Sequence, residues 1–147
     1  MARTMHPEAS MRSADGEPIP FDEELVRGEI QRAIIPSRNM PGLPAFIGLT
    51  GEFGNITGSI YLSMETPLWY TRQIGLVERW LYVAPDYRRS HIAAVLIDFA
   101  KQAADAAQTK LFVGHTTPGR EAAKERFYRR HFTPVGAFYV YDGTAGV

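Results

Sequence analysis

The chain contains no cysteine. Disulfides, thiolate metal sites and cysteine nucleophiles are therefore excluded. It also lacks an excess of either charge: 16 Lys and Arg balance 16 Asp and Glu. No broad positive field exists to attract nucleic acid, so no nucleic-acid partner is expected, and only local basic clusters remain to be explained. The four histidines are dispersed, with neither HxxxH nor HExxH spacing, which argues against a zinc site. No run approaches the roughly 18 apolar residues of a membrane span, and no membrane partner is expected. The opening stretch MARTMHPEASMRSADGEPIP has no apolar core of the kind a secretory signal needs. Its small, polar and proline-bearing make-up predicts a flexible arm over residues 1–20, and a cytoplasmic location is the default expectation.

What is present is an ordinary globular composition, 45% hydrophobic and 22% charged over 147 residues. That length supports one core and is short for two, so residues 21–147 are expected to form a single domain. FDEELVRGEIQRAIIP reads as a helix with an acidic first turn and a proline stop. PAFIGLT, NITGSIYLSM and GLVERWLYV read as three strands of an antiparallel meander, the first two joined by GEFGN. His91 to Gln108 is the clearest helix, with Ile92, Val95, Leu96, Phe99 and Ala103 as its apolar stripe. KLFVGH predicts a short buried strand, residues 119–131 a further helix, and TPVGAFYVYDG a last strand. The order predicts an α/β or α+β fold: a mixed, mostly antiparallel sheet flanked by helices. Its strand–helix–strand unit, residues 76–115, should be a right-handed parallel crossover.

The stretch VAPDYRRSHIA places two adjacent arginines where a strand ends and the longest helix begins. A helix N-terminus leaves about four backbone N–H groups unpartnered and carries roughly half a positive charge. A tight turn entering it aims those donors at one point, which suits a phosphate. Arg88 and Arg89 add forked guanidinium donors, and Ser90 can either cap the helix or bind the same anion. Two readings fit these residues: an anion site, or a capped helix with two solvated arginines.

The flanks extend the pattern. V-x-P-x-Y-R-x-x-H-x-A-x-x-L, from Val83 to Leu96, resembles the acetyl-CoA-binding signature of the GNAT superfamily of N-acetyltransferases. That signature usually reads Q/R-x-x-G-x-G/A; Arg88 takes its first position and Ala93 its last, while His91 stands where glycine is usual. FYRRHFTPVG resembles the family's L-Y-x-x-x-G-F-x-P-V-G ending, one residue short and without its glycine. YRRSHIA together with FYRRHFTPVG is also similar to acetyltransferase-like proteins encoded by bacteriophages.

The resemblance implies a GNAT-like fold and direct attack of an amine, from a small molecule or a protein, on the thioester of acetyl-CoA. It implies that the phosphates sit on Arg88, Arg89, Ser90, His91, Ile92 and Ala93. The pantetheine arm would enter a splay between the third and fourth strands and pair with backbone groups of the segment Leu81, Tyr82 and Val83. Tyr128 matches the family's tyrosine near the cofactor sulfur, placed to protonate the departing thiolate; its plainer reading is a core aromatic beside Phe127. Reference pKa values of about 10 for tyrosine and 8.5 for a thiol make that transfer feasible without driving it strongly. For the general base the candidates are Glu78 and His115. Strict strand alternation puts Glu78 with Trp80 and Tyr82, opposite Val77, Arg79 and Leu81. The same carboxylate could instead be a surface ion-pair partner.

Other uses of these residues stay open. Arg126, Arg129, Arg130 and His131 spread around a helix axis and read as a solvated face. Trp69, Tyr70 and Trp80 suit an acceptor pocket, core packing or a homodimer face. The enzyme reading competes with a noncatalytic domain of the same fold, serving CoA binding, interaction or assembly. A nucleotide-binding protein fits worse, because neither GxGxxG nor a Walker lysine is present.

Overall fold

In the computed structural model, α1 (Glu23–Ile34) begins where the Asp22 Oδ1 accepts the Leu25 N–H at 2.9 Å, and two glutamates occupy its first turn. An accepting carboxylate relieves one unpartnered amide and opposes the positive end of the helix. The structure describes residues 22–34, 45–52, 54–67, 72–114 and 121–136. The chain falls into two compact units, Arg27–Val113 and Met1–Val26 with Gly114–Val147. The expected arm at residues 1–20, Phe53 of the expected hairpin connection, Trp69, Tyr70, His115 and residues 137–147 of the expected last strand lie outside the described residues.

The first unit holds a four-stranded sheet in the order β1 (Ala45–Glu52), β2 (Asn55–Glu65), β3 (Gly75–Val83) and β4 (Leu111–Phe112). β1, β2 and β3 form an antiparallel meander, and β4 lies parallel to β3. α2 (Ile92–Ala106) makes the crossover between β3 and β4 and packs on β1, β2 and β3. The fold is thus mixed α+β, as the order of apolar runs predicts. The expected strand KLFVGH is reduced to Leu111 and Phe112.

The core lies between α2 and one face of the sheet. Ile60, Leu62, Leu76, Leu96 and Ile97 are almost wholly buried there, with Ala100, Ala103 and Ala104 along the helix. Burying each of the larger side chains contributes about 1.5–3 kcal/mol. Leu96 and Ala103 of the expected α2 stripe are buried and Ile92 and Phe99 half-buried, but Val95 is exposed, and Ile97 with Ala100 and Ala104 is buried instead. The alanines, which leave room for close helix–sheet approach, turn the helix this way.

Two glycines make that approach possible. A Cβ on Gly48 would stand 2.7 Å from Phe99 Cδ1, and one on Gly58 would stand 2.7 Å from Ile92 Cγ2 and 3.1 Å from Leu96 Cδ1. The start of α2 therefore rests on bare backbone. Gly58→Val is expected to destabilise the protein by about 1–3 kcal/mol through overpacking, seen as a lower urea midpoint at unchanged slope.

The connections at both ends of α2 are tied at or next to the ends of β3. At its C-terminus Gln108 adopts a left-handed backbone, φ 49°, and the Thr109 N–H reaches back to the Ala104 oxygen at 3.0 Å. This six-residue closure satisfies carbonyls that the helix end leaves open. The Thr109 hydroxyl then donates to the Ile74 oxygen at 2.9 Å, and the Leu76 N–H donates to the Lys110 oxygen at 2.9 Å. In the second unit, α3 (Glu121–His131) carries a forked Arg129–Glu125 pair with bonds of 2.9 and 2.7 Å.

Candidate active site

β3 hands the chain to α2 through residues 84–91. The Ala84 N–H still bonds the Thr57 oxygen of β2 at 2.8 Å, so the chain leaves the sheet only at Pro85. Pro85–Tyr87 form one 3-10 turn, closed by the Tyr87 N–H on the Ala84 oxygen and the Arg88 N–H on the Pro85 oxygen. Proline suits this entry because its φ is preset and its missing N–H is not needed. The Ser90 hydroxyl donates to the Tyr87 oxygen at 2.6 Å and accepts the Ile92 N–H at 3.3 Å. Ser90 therefore builds the turn and takes the first helical amide.

His91 is the residue at which α2 starts. Its backbone is helical, φ −79° and ψ 0°, and its ring makes no capping bond. Side chains that reach the second and third helical amides ordinarily stand on an extended backbone. The imidazole instead stays exposed, and the N–H groups of Ala93 and Ala94 have no partner among the described residues. They are free donors at the positive end of a 15-residue helix. The Arg88 Nε donates to the Val83 oxygen at 3.1 Å and is half-buried, while Arg89 is exposed beside it.

Among the described residues, β3 is open on one side past its pairing with β4. β4 pairs with β3 only through Leu76–Leu111 and Val77–Phe112, whereas β3 continues to Val83. Beyond Val77 no described residue pairs with that side of β3.

A β-bulge sets which peptide groups face this gap. Tyr61 opposes Trp80 and Leu62 opposes Glu78, leaving Arg79 as an extra residue on β3. Leu76 directs its N–H toward β4, and simple alternation would continue with Glu78, Trp80 and Tyr82. The extra residue re-phases the strand. Leu81 and Val83 then turn their peptide groups to the open side; the Val83 oxygen meets Arg88 there, and the next N–H, of Ala84, turns back to β2.

The bulge also corrects the face expected for Glu78. Directly opposed residues of an antiparallel pair share a face. Glu78 opposes Leu62, Leu81 opposes Ile60 and Val83 opposes Gly58, all on the α2 side. Trp80 and Tyr82 oppose Tyr61 and Ser59 and lie on the other face. There the Trp80 indole N–H donates to the Ser59 hydroxyl at 3.2 Å, its ring stands 4.9 Å from that of Tyr61, and Arg79 pairs with Glu65 at 3.5 Å. The signal that could have revealed the bulge is the adjacent polar pair Glu78–Arg79 inside an otherwise apolar strand.

The structure thus brings together Leu81, Val83, Arg88, Arg89, Ser90, His91, Ile92 and Ala93 along one strand-to-helix corner, with the Tyr82 side chain on the opposite sheet face. Tyr128 belongs to the second unit. It is buried on α3, its ring 5.8 Å from Phe127 and 6.1 Å from Phe132. The Phe132 N–H bonds the Tyr128 oxygen at 2.8 Å, so helical bonding continues where the family pattern has a glycine. Among the described residues no group of histidines and carboxylates could hold a metal ion, and no helix is long and apolar enough to cross a membrane. Amides without partners and a strand edge without a paired strand among the described residues, together with guanidinium groups, fit a ligand with a diphosphate and an amide-bearing arm.

Comparison with known proteins bears on that ligand. A family model described as acetyltransferase (GNAT) domain matches residues 46–132, more than half of the chain. No curated protein sequence matches. Among solved structures, the chain is similar to aminoglycoside 6'-N-acetyltransferase from Acinetobacter haemolyticus in its apo form, with a TM-score of 0.61 and 15% identity over 86% of this chain and 84% of that one. It is similar to a ribosomal-protein-alanine N-acetyltransferase from Brucella melitensis biovar Abortus, with a TM-score of 0.58 and 20% identity over 86% and 78%. A putative acetyl transferase from Pyrococcus furiosus matches with a TM-score of 0.57 and 12% identity over 84% and 81%. At these identities the likeness is one of fold.

Proposed function

We propose that this chain, which belongs to the acetyltransferase (GNAT) domain family, is an acetyl-CoA-dependent N-acetyltransferase that moves an acetyl group to a primary amine by direct attack. The observation that carries the reading is one continuous line of donors. It runs from the Leu81 and Val83 peptides, on the side of β3 that no strand pairs among the described residues, to the Ala93 and Ala94 amides at the start of α2, which have no partner among them.

Acetyl-CoA, when bound, supplies the thioester carbonyl that the amine attacks and the thiolate that leaves. Arg88, Arg89 and the amides that begin α2 hold its phosphates, and the peptide groups of Leu81 and Val83 pair with its arm. An N–H of the same segment donates to the thioester oxygen as negative charge develops, without reorganising at the moment of reaction. Glu78, on the strand beside the gap, accepts the amine proton through water, and Tyr128 donates a proton to the departing sulfur. The neighbours named for an aminoglycoside and for a ribosomal protein's alanine support an amine acceptor that is either a small molecule or a protein.

The test has two parts. Acetyl-CoA at a hundred times its Kd should stabilise the fold by about 2.7 kcal/mol, seen as a raised melting temperature; no shift at millimolar ligand would overturn the reading. Release of free thiol during incubation with mixed amines then distinguishes turnover from binding. Tyr128→Phe is expected to lower kcat by about tenfold with little change in affinity for acetyl-CoA, less than the roughly hundredfold or more usual for a proton donor because a thiolate leaves readily unaided. Full turnover in that variant would remove Tyr128 from the chemistry.

His91 at the glycine position, and the uninterrupted helical bond from Phe132 to Tyr128, favour a second reading: a noncatalytic domain that binds CoA. A ligand-induced shift without thiol release would select it.

A further inference from the structure

We infer that Tyr87 forms a stacking platform for the base at the nucleotide end of the donor, with Arg89 closing on the adjoining phosphate. The inference rests on the reading above that this chain binds acetyl-CoA.

Tyr87 closes the 3-10 turn, and its main chain is held from both sides. Its N–H bonds the Ala84 oxygen at 2.9 Å, and its own oxygen accepts the Ser90 N–H at 3.0 Å and the Ser90 hydroxyl at 2.6 Å. Every one of those bonds uses backbone atoms of Tyr87, so any residue could supply them. The turn gives no reason for an aromatic ring. Yet the side chain is large, 39% exposed, and has no ring contact or side-chain hydrogen bond among the described residues. A pinned backbone carrying an unpartnered ring loses little entropy when a flat ligand settles on it.

The surroundings narrow the ligand. Val95, one turn into α2 and bonded through its N–H to the His91 oxygen, is 46% exposed, a second apolar surface close in sequence to the Ala93 and Ala94 amides. Arg89 is exposed next to Tyr87 and suits phosphate oxygens. Asp86, exposed and immediately before Tyr87 in the sequence, repels phosphate but accepts hydrogen bonds from an exocyclic amine. A neutral heteroaromatic base bearing an amino group, attached to phosphate, matches all three. A bare anion would make no use of the ring.

The experiment compares two ligands that share the thioester and the pantetheine arm, acetyl-CoA and S-acetylpantetheine, which lacks the nucleotide. Tyr87→Ala is expected to weaken acetyl-CoA on the order of tenfold, as for loss of one base–aromatic stack. Affinity for S-acetylpantetheine, followed by NMR titration at millimolar concentration, should stay the same, and Tyr87→Trp should restore acetyl-CoA binding. An unchanged acetyl-CoA affinity in Tyr87→Ala overturns the inference, and so does equal weakening of both ligands, which would mean a damaged turn. If the unmodified protein binds the two ligands equally, the platform is wrong while the donor site stands. Binding of neither removes both.

Discussion

Replacing Arg88 and Arg89 together by alanine is expected to abolish the rise in melting temperature that acetyl-CoA produces. Two charge-assisted bonds to phosphate contribute about 1.5–3 kcal/mol each, so affinity should fall by at least a hundredfold. The two single variants separate what each arginine does. Arg88 already donates through Nε to the Val83 oxygen, so Arg88→Ala also frees the start of the turn and should lower stability without ligand. Arg89 is exposed, so Arg89→Ala should leave the ligand-free melting temperature in place and reduce affinity about tenfold. Calorimetric titration with acetyl-CoA reads both effects. Undiminished affinity in the double variant would mean that the two guanidinium groups do not hold the phosphates.

A loss of comparable size is expected from deleting Arg79. Without it, Glu78 and Trp80 become neighbours and oppose Leu62 and Tyr61 in unbroken register. Every remaining side chain of β3 keeps its face, and only the Arg79–Glu65 pair, largely solvated, disappears. The protein should therefore stay folded, with an unchanged far-ultraviolet circular dichroism spectrum. What changes is the course of the strand. A bulge bends and twists the strand that carries it, and here the bend follows the last residue paired with β4. A straightened β3 would let the chain after Phe112 continue the parallel ladder and occupy the peptide groups of Leu81 and Val83. Acetyl-CoA affinity should drop about a hundredfold or more. A deletion variant that binds normally would show that the gap does not depend on the bulge.

Much of the architecture was legible in the residues themselves. Proline and glycine punctuation bounded β1, β2 and β3 within a few residues, and the apolar spacing after Ser90 placed α2. The strand-to-helix corner could be read because its chemistry is local: a proline, two arginines and a serine within one turn. The phase of β3 past Glu78 was not legible, since one unpaired residue reverses odd and even, and alternation counts carry no record of the partner strand. The edge of the α2 stripe was not legible for a related reason. Val95 is as apolar as Ile97, and only the sheet beneath, with Gly48 and Gly58 admitting the helix closely, decides which of them is buried. The shortness of β4 was equally hidden, because LFV is apolar whether or not β3 bends away from it.

Two ties flank strand and helix, Arg88 to the Val83 oxygen just before α2 and Thr109 to the Ile74 oxygen just before β3, and they enclose both in one hydrogen-bonded circuit. Contiguous elements joined in this way open cooperatively. Occupancy at one end should slow deuterium uptake at the other, so the amides of residues 104–110, remote in sequence from the arginine pair, ought to report on the donor as sensitively as those beside it.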